Sequence, residues 1–252
     1  MKKLLTSLIF FLVAAGLTMA APKSEFYELR IYHVKGSEQL SRLDTYLKNA
    51  YIPAAHRAGI KAVGVFRGIE ADSLVYVFTP LKSLDQLTKL PQVLAKDQAY
   101  LSAGKEYIES AFKAPAYQRY ETVVLEAFSG MPQYQKSGLS VPMNQRVYEL
   151  RSYESPSEKR YLNKVEMFNK GEIDIFKKLD FNPVFFAKVI AGSHMPNLMY
   201  MITYPDRATR DARWKAFGSD PDWTKMKGMP EYQDNMTKAL ATFLRPMEYS
   251  EI

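Results

Sequence analysis

The sequence predicts an α+β fold in which two tandem βαββαβ repeats lie sheet against sheet. Three observations predict it. The segment Phe26-Tyr-Glu-Leu-Arg-Ile-Tyr32 returns as Val147-Tyr-Glu-Leu-Arg-Ser-Tyr153, five of seven positions identical at an offset of 121. Each copy is followed by the same succession of helical, paired-strand, helical and strand patterns. Between the copies, residues 129–145 are rich in Gly, Pro, Ser and Gln and show little periodicity, as a linker would.

Both copies of the seven-residue segment alternate as β-strands, so Tyr27, Leu29 and Ile31 share one face and Glu28, Arg30 and Tyr32 the other. The split recurs with Tyr148 and Leu150 against Glu149, Arg151 and Tyr153. Leu40, Leu43, Leu47, Ala50 and Ala54 then recur at three- and four-residue steps, predicting a helix that ends near Gly59. In the second copy Ser155-Pro156-Ser157-Glu158 predicts a capping box with proline at the first helical position, and Val165, Phe168, Phe176 and Leu179 continue the apolar stripe. Two apolar runs follow in each half, 62–66 with 74–78 and 184–190 with 198–204, each pair read as a hairpin. Ser83 with Gln86, and Asp206, are caps opening a second helix. Final strands are expected over 117–128 and 243–249. A βαββαβ unit leaves one sheet face bare, and two such units cover both bare faces by closing a shared barrel.

Residues 1–20 have a cationic start, an apolar run over 4–17 and small residues at Thr18, Ala20 and Ala21, the grammar of a secretory signal peptide. The expected organisation is signal peptide 1–20, first repeat 21–128, linker 129–145 and second repeat 146–252, in a periplasmic or secreted protein without stable membrane insertion. The absence of cysteine excludes disulfides, thiol catalysis and cysteine metal sites. Loss of a leader carrying two lysines lowers the formal charge from +7 to +5. The cations are scattered among acids rather than gathered in a stripe, which argues against nucleic acid as a partner. No phosphate loop or nucleophile elbow is present.

Taken in order, the Tyr-Glu-Leu-Arg-x-Tyr strand of both halves, Tyr51-Ile-Pro-Ala-Ala-His-Arg-Ala-Gly59, Trp214-Lys-Ala-Phe217 with Asp220-Pro-Asp-Trp223, and Phe243-Leu-Arg-Pro246 resemble the NIPSNAP family of the dimeric α/β-barrel superfamily, in its exported bacterial members. The resemblance implies tandem ferredoxin-like repeats joined as an intramolecular dimeric α/β barrel. It implies no settled activity: superfamily relatives include cofactor-free monooxygenases, isomerases and haem-dependent enzymes that use the barrel interior as a pocket.

The more polar strand face is expected to look into the barrel. Glu28, Arg30, Tyr32, Glu149, Arg151 and Tyr153 would then form either a binding floor for a polar or anionic group or an ion-pair network holding the sheets in register. His56, in the last turn of its helix, is the candidate general base or haem ligand, or else a solvated capping residue. Trp214 and Trp223 would line a pocket wall or fill the helix–sheet seam. His33 and His194 lie near no carboxylate at metal-ligand spacing in sequence, so no metal is expected. The functional expectation is a protein binding a small, partly apolar molecule inside the barrel, without a cofactor and possessing or lacking catalysis. The alternatives are a non-catalytic interaction scaffold and a haem protein. A further homo-oligomer is compatible with this reading.

Overall fold

The computed structural model describes residues 23–70 and 73–252; the expected signal peptide lies outside the described residues. The first repeat runs β1 (Phe26–His33), α1 (Gly36–Tyr46), a π-helical turn (Leu47–Tyr51), α2 (Ile52–Arg57), β2 (Gly64–Gly68), β3 (Leu74–Leu81), α3 (Leu84–Leu94), the short α4 (Gln98–Ala103) and α5 (Lys105–Ile108), and β4 (Arg119–Ala127). The second runs β5 (Val147–Glu154), α6 (Glu158–Met167), a second π-helical turn (Phe168–Glu172), α7 (Ile173–Lys178), β6 (Asn182–Ala191), β7 (Asn197–Tyr204), α8 (Arg207–Ser219), α9 (Pro221–Lys227) and β8 (Lys238–Pro246).

The eight strands close into one antiparallel barrel in the order β1-β3-β2-β8-β5-β7-β6-β4. Within each repeat the first strand is central, with Glu28 opposite Thr79 and Val124, and Glu149 opposite Ile202 and Phe243. The repeats join at two seams, β2 with β8 and β4 with β6. Closure removes the open edges that a lone sheet would present, for the length over which these seams extend.

The helix ends follow from local chemistry. Gly59 adopts φ +83°, a left-handed conformation that only glycine takes without steric cost, and ends α2. The equivalent residue of the second repeat is Asp180 at φ +56°. Ser83 caps α3 by accepting from Gln86 N, and Asp206 caps α8 by accepting from Thr209 N at 2.7 Å. Asp220 caps α9, with Pro221 at its first turn. The expected capping box is displaced: Ser157, not Ser155, caps α6, and the Ser155 hydroxyl instead donates to the Asn235 carbonyl at 2.7 Å. The last strand starts at Lys238 rather than 243, because its first residues hydrogen-bond to β5 while pointing exposed side chains to solvent, a pairing that no apolar pattern announces.

Three apolar clusters result. Side chains from all eight strands fill the barrel, among them Tyr27, Leu29, Phe66, Phe78, Leu125, Tyr148, Phe185, Met201 and Leu244. The opposite faces of β1–β3 pack under α1–α3, and those of β5–β7 under α6–α8.

Candidate functional site

Which strand face enters the barrel decides the site. Tyr27 and Leu29, fully buried, sit in the same cluster as Leu150, Phe185 and Leu244 of the other repeat, so the apolar face of β1 points inward. This corrects the expectation that Glu28, Arg30, Tyr32, Glu149, Arg151 and Tyr153 line the barrel: all six lie on the outer face, beneath their own helices. The physical reason is that both faces of each central strand are buried. The carboxylates find cationic and N–H donors on the helix side, which the apolar barrel core does not offer.

In the first repeat, Arg30 donates to Glu28 Oε1 from Nη2 at 2.7 Å and to the Tyr32 hydroxyl from Nη1 at 3.2 Å. The Tyr32 and Tyr107 hydroxyls are 3.0 Å apart, and the Arg30 guanidinium lies 5.0 Å from the Tyr120 ring centre. Burial pushes the Tyr32 and Tyr107 hydroxyls above the ordinary phenol value, so both remain protonated. Tyr51, placed by the π-helical turn, meets Thr79 Oγ1 at 3.3 Å.

The second repeat keeps the Glu–Arg pair and surrounds it differently. Glu149 is fully buried and accepts from Arg151 (2.8 Å), from Arg210 Nη2 (2.6 Å) and Nε (3.0 Å), and from the Trp214 indole (2.9 Å). Burial alone would raise its pKa, but hydrogen bonds from Arg210, the Arg151 charge and the Trp214 donor together hold the carboxyl below its usual range. Arg151 lies 4.3 Å from the Trp214 ring centre, and the Tyr153 and Tyr200 hydroxyls are 2.6 Å apart. Trp223 packs at 4.5 Å on Phe217 and lies 5.4 Å from the Lys164 ammonium. Both tryptophans therefore fill the helix–sheet seam. With every lone pair of Glu149 engaged, this constellation is an internal ion-pair network tying β5 to α8.

His56 pairs with Glu251 at 2.8 Å and lines neither the cavity at the barrel end nor the cleft beside the linker. The end of α2 abuts the C-terminal segment, whose Glu251 also accepts from Val63 N. Among the described residues, no group of three or more His, Asp or Glu side chains is placed to hold a metal ion, and no helix is long and apolar enough to cross a membrane.

The barrel interior itself is filled at one end by stacked aromatics, Phe78 and Phe185 lying 4.8 Å apart and nearly parallel, with Tyr27 at 5.0 Å from Phe78. At the other end a cavity of about 190 Å³ remains, built from both repeats. Ile31, Val123, Leu150 and Met199 supply its apolar surface; Tyr76, Glu121, Ser152, His194, Asn197 and Thr242 supply its polar one. Asn197 is 3 % exposed and donates to Ser152 Oγ at 3.0 Å, while its Oδ1 is buried with no donor among the described residues. Burial, with the Glu121 carboxylate near, raises the Tyr76 pKa and keeps that hydroxyl a neutral donor. Two histidine–carboxylate pairs stand at this end, His33 with Glu121 at 2.7 Å and His194 with Glu154 at 3.7 Å. Sequence spacing missed them because His33 and Glu121 are 88 residues apart and meet only through the β1–β4 ladder, in which Ile31 faces Glu121. The legible signal was the alternation that groups His33 with Leu29 and Ile31.

Comparison with known proteins agrees with the architecture. Residues 148–251 match the NIPSNAP family model. Two bacterial proteins provisionally described as monooxygenases superpose over most of both chains. One, from Lactobacillus acidophilus, covers 89% of this chain and 94% of its own at 8% identity, with a TM-score of 0.57. The other, from Fusobacterium nucleatum, covers 90% and 94% at 8% identity and the same score. An anthrone oxidase-like protein covers 91% and 94% at 10% identity, with a TM-score of 0.52. At these identities the likeness is one of fold. No curated protein matches in sequence. The second repeat thus matches the NIPSNAP family model, and the two repeats close one α/β barrel.

Proposed function

We propose that the open end of the barrel binds a small, partly apolar molecule carrying at least one hydrogen-bond donor. The observation that carries the reading is the cavity to which both repeats contribute, with a buried, unpartnered Asn197 Oδ1 beside an apolar surface. An unsatisfied buried acceptor calls for a partner. The volume of about 190 Å³ is below the roughly 300–1,000 Å³ of drug-sized sites, so the occupant is small. The pair of Glu121 and His33 at the rim supports a cofactor-free acid–base role for a substrate bound there. A periplasmic or secreted location rests on the leader-like residues 1–20. The test is native mass spectrometry of protein isolated from its own host, beside Ser152→Phe, which fills the cavity from a half-buried position. A retained small molecule lost in that variant supports the reading; an empty protein, or retention unchanged by Ser152→Phe, overturns it.

One observation favours a second reading, a non-catalytic interaction role. Among the described residues, 238–242 of β8 pair with β5 alone, because β2 meets β8 only at Leu244–Pro246. This leaves a strand edge exposed beside Leu240. A pull-down that depends on this edge, from protein whose cavity proves empty, would select it.

A further inference from the structure

The two repeats serve as controls for one another. Counting from their caps, Ser83 and Asp206, Leu90 of α3 corresponds to Arg213 of α8. Leu90 is 5 % exposed within the first repeat's helix–sheet core. Arg213 instead lines a cleft of about 690 Å³ between linker residues 130–139 and the start of β6. Its Nη1 is buried without an acceptor, and among the described residues it has no ion-pair partner. The linker wall is held in place: Gly130 N donates to Asn169 Oδ1 (2.7 Å), Gln135 N to the Val184 carbonyl (2.9 Å), and Arg146 Nη2 to the Leu139 carbonyl (2.8 Å). Lys136 and Lys177 line the same cleft; Lys177 also meets Asp174 at 3.1 Å. Asp180 opposes them, in the left-handed conformation that glycine holds at the matching position of the first repeat.

We propose that this cleft is an anion site, taking a carboxylate- or phosphate-bearing small molecule on the Arg213 guanidinium, with Lys136 and Lys177 at its edge. A guanidinium presents paired donors that match either group, and a desolvated one without an acceptor is stabilised by such an anion. The cleft adjoins the start of β6 and the proposed ligand cavity lies beyond the other end of that strand, so the two proposals stand or fall separately.

The experiment is titration of the full chain with inorganic phosphate and with succinate at fixed ionic strength, sodium chloride serving as control, read by calorimetry and thermal midpoint. At least one anion is expected to bind wild type beyond the chloride control. Affinity should fall at least tenfold in Arg213→Leu, which installs the first repeat's residue, fall several-fold in Lys136→Gln, and rise in Asp180→Gly. A response to phosphate alone or succinate alone identifies the group. The proposal is overturned if neither anion exceeds chloride, or if Arg213→Leu and Lys136→Gln bind as wild type does. Lys136 is exposed, so its variant decides the matter should Arg213→Leu fail to fold.

Discussion

Trp214 donates its indole N–H to Glu149 at 2.9 Å, whereas the corresponding position in the first repeat is Pro91, which has no side-chain donor. Two copies of one strand thus carry the same Glu–Arg pair in unequal surroundings. The hydrogen bonds to Glu28 among the described residues come from Arg30 and fall on one oxygen. Those to Glu149 come from three side chains and use both oxygens.

The first prediction is a difference in cost. Glu149→Gln strips two arginines of their shared counter-charge in a fully buried setting, which should destabilise by about 3–5 kcal/mol. Glu28→Gln strips a single arginine, with no indole donor beside it, and should cost clearly less. Trp214→Phe keeps the ring and loses a hydrogen bond to a charged group, about 1.5–3 kcal/mol. At roughly 2–4 °C per kcal/mol for a chain of this size, thermal unfolding separates the three; equal losses for Glu28→Gln and Glu149→Gln would refute the asymmetry.

The second concerns pH. The Glu149 carboxyl is held below its usual value of 4.5, so in acid the unfolded chain binds more protons than the native one. Its contribution is fully present above about pH 4.5 and is lost as pH falls through the native value. Glu172 has the opposite sign: burial outweighs the Lys164 charge and raises its pKa. Its contribution is fully present below about pH 4.5 and is lost as pH rises through the raised native value. Denaturation midpoints between pH 3 and 7 should therefore show a shallower acid loss for Glu149→Gln and a steeper one for Glu172→Gln than for wild type.

A third prediction tests the buried pair of Lys164 and Glu172, 2.7 Å apart and each almost inaccessible. The matching first-repeat positions hold Leu43 and Tyr51, so the fold does not require charge there. Lys164→Leu alone leaves a buried carboxylate uncompensated and should cost about 3–5 kcal/mol, whereas Lys164→Leu with Glu172→Leu should recover most of it. A double-mutant cycle in urea reads the coupling; additive losses would exclude it.

Gly59→Ala supplies a fourth. A β-carbon at Gly59 would stand in open space, so the cost is conformational, about 1–2 kcal/mol for an L-residue at φ +83°. Gly36→Ala, also in open space at φ +74°, should cost a similar amount. Loss of stability in neither variant, measured by thermal unfolding, would remove the strain argument for Asp180 as well.

The repeat, the order of its elements, the caps at Ser83 and Asp206 and the stop at Gly59 were legible in the sequence, because each rests on periodicity or on contacts a few residues apart. Alternation also determined which side chains share a face of β1 and β5. It could not say which face turns inward, since both are buried, one in the barrel and one under helices. Only the tertiary structure decided that, by closing β2 on β8 and β4 on β6 and so enclosing Tyr27 and Leu29. The same closure brought His33 to Glu121 and gathered Ile31, Asn197 and Thr242 around one cavity, contacts between residues so far apart along the chain that no local pattern encodes them.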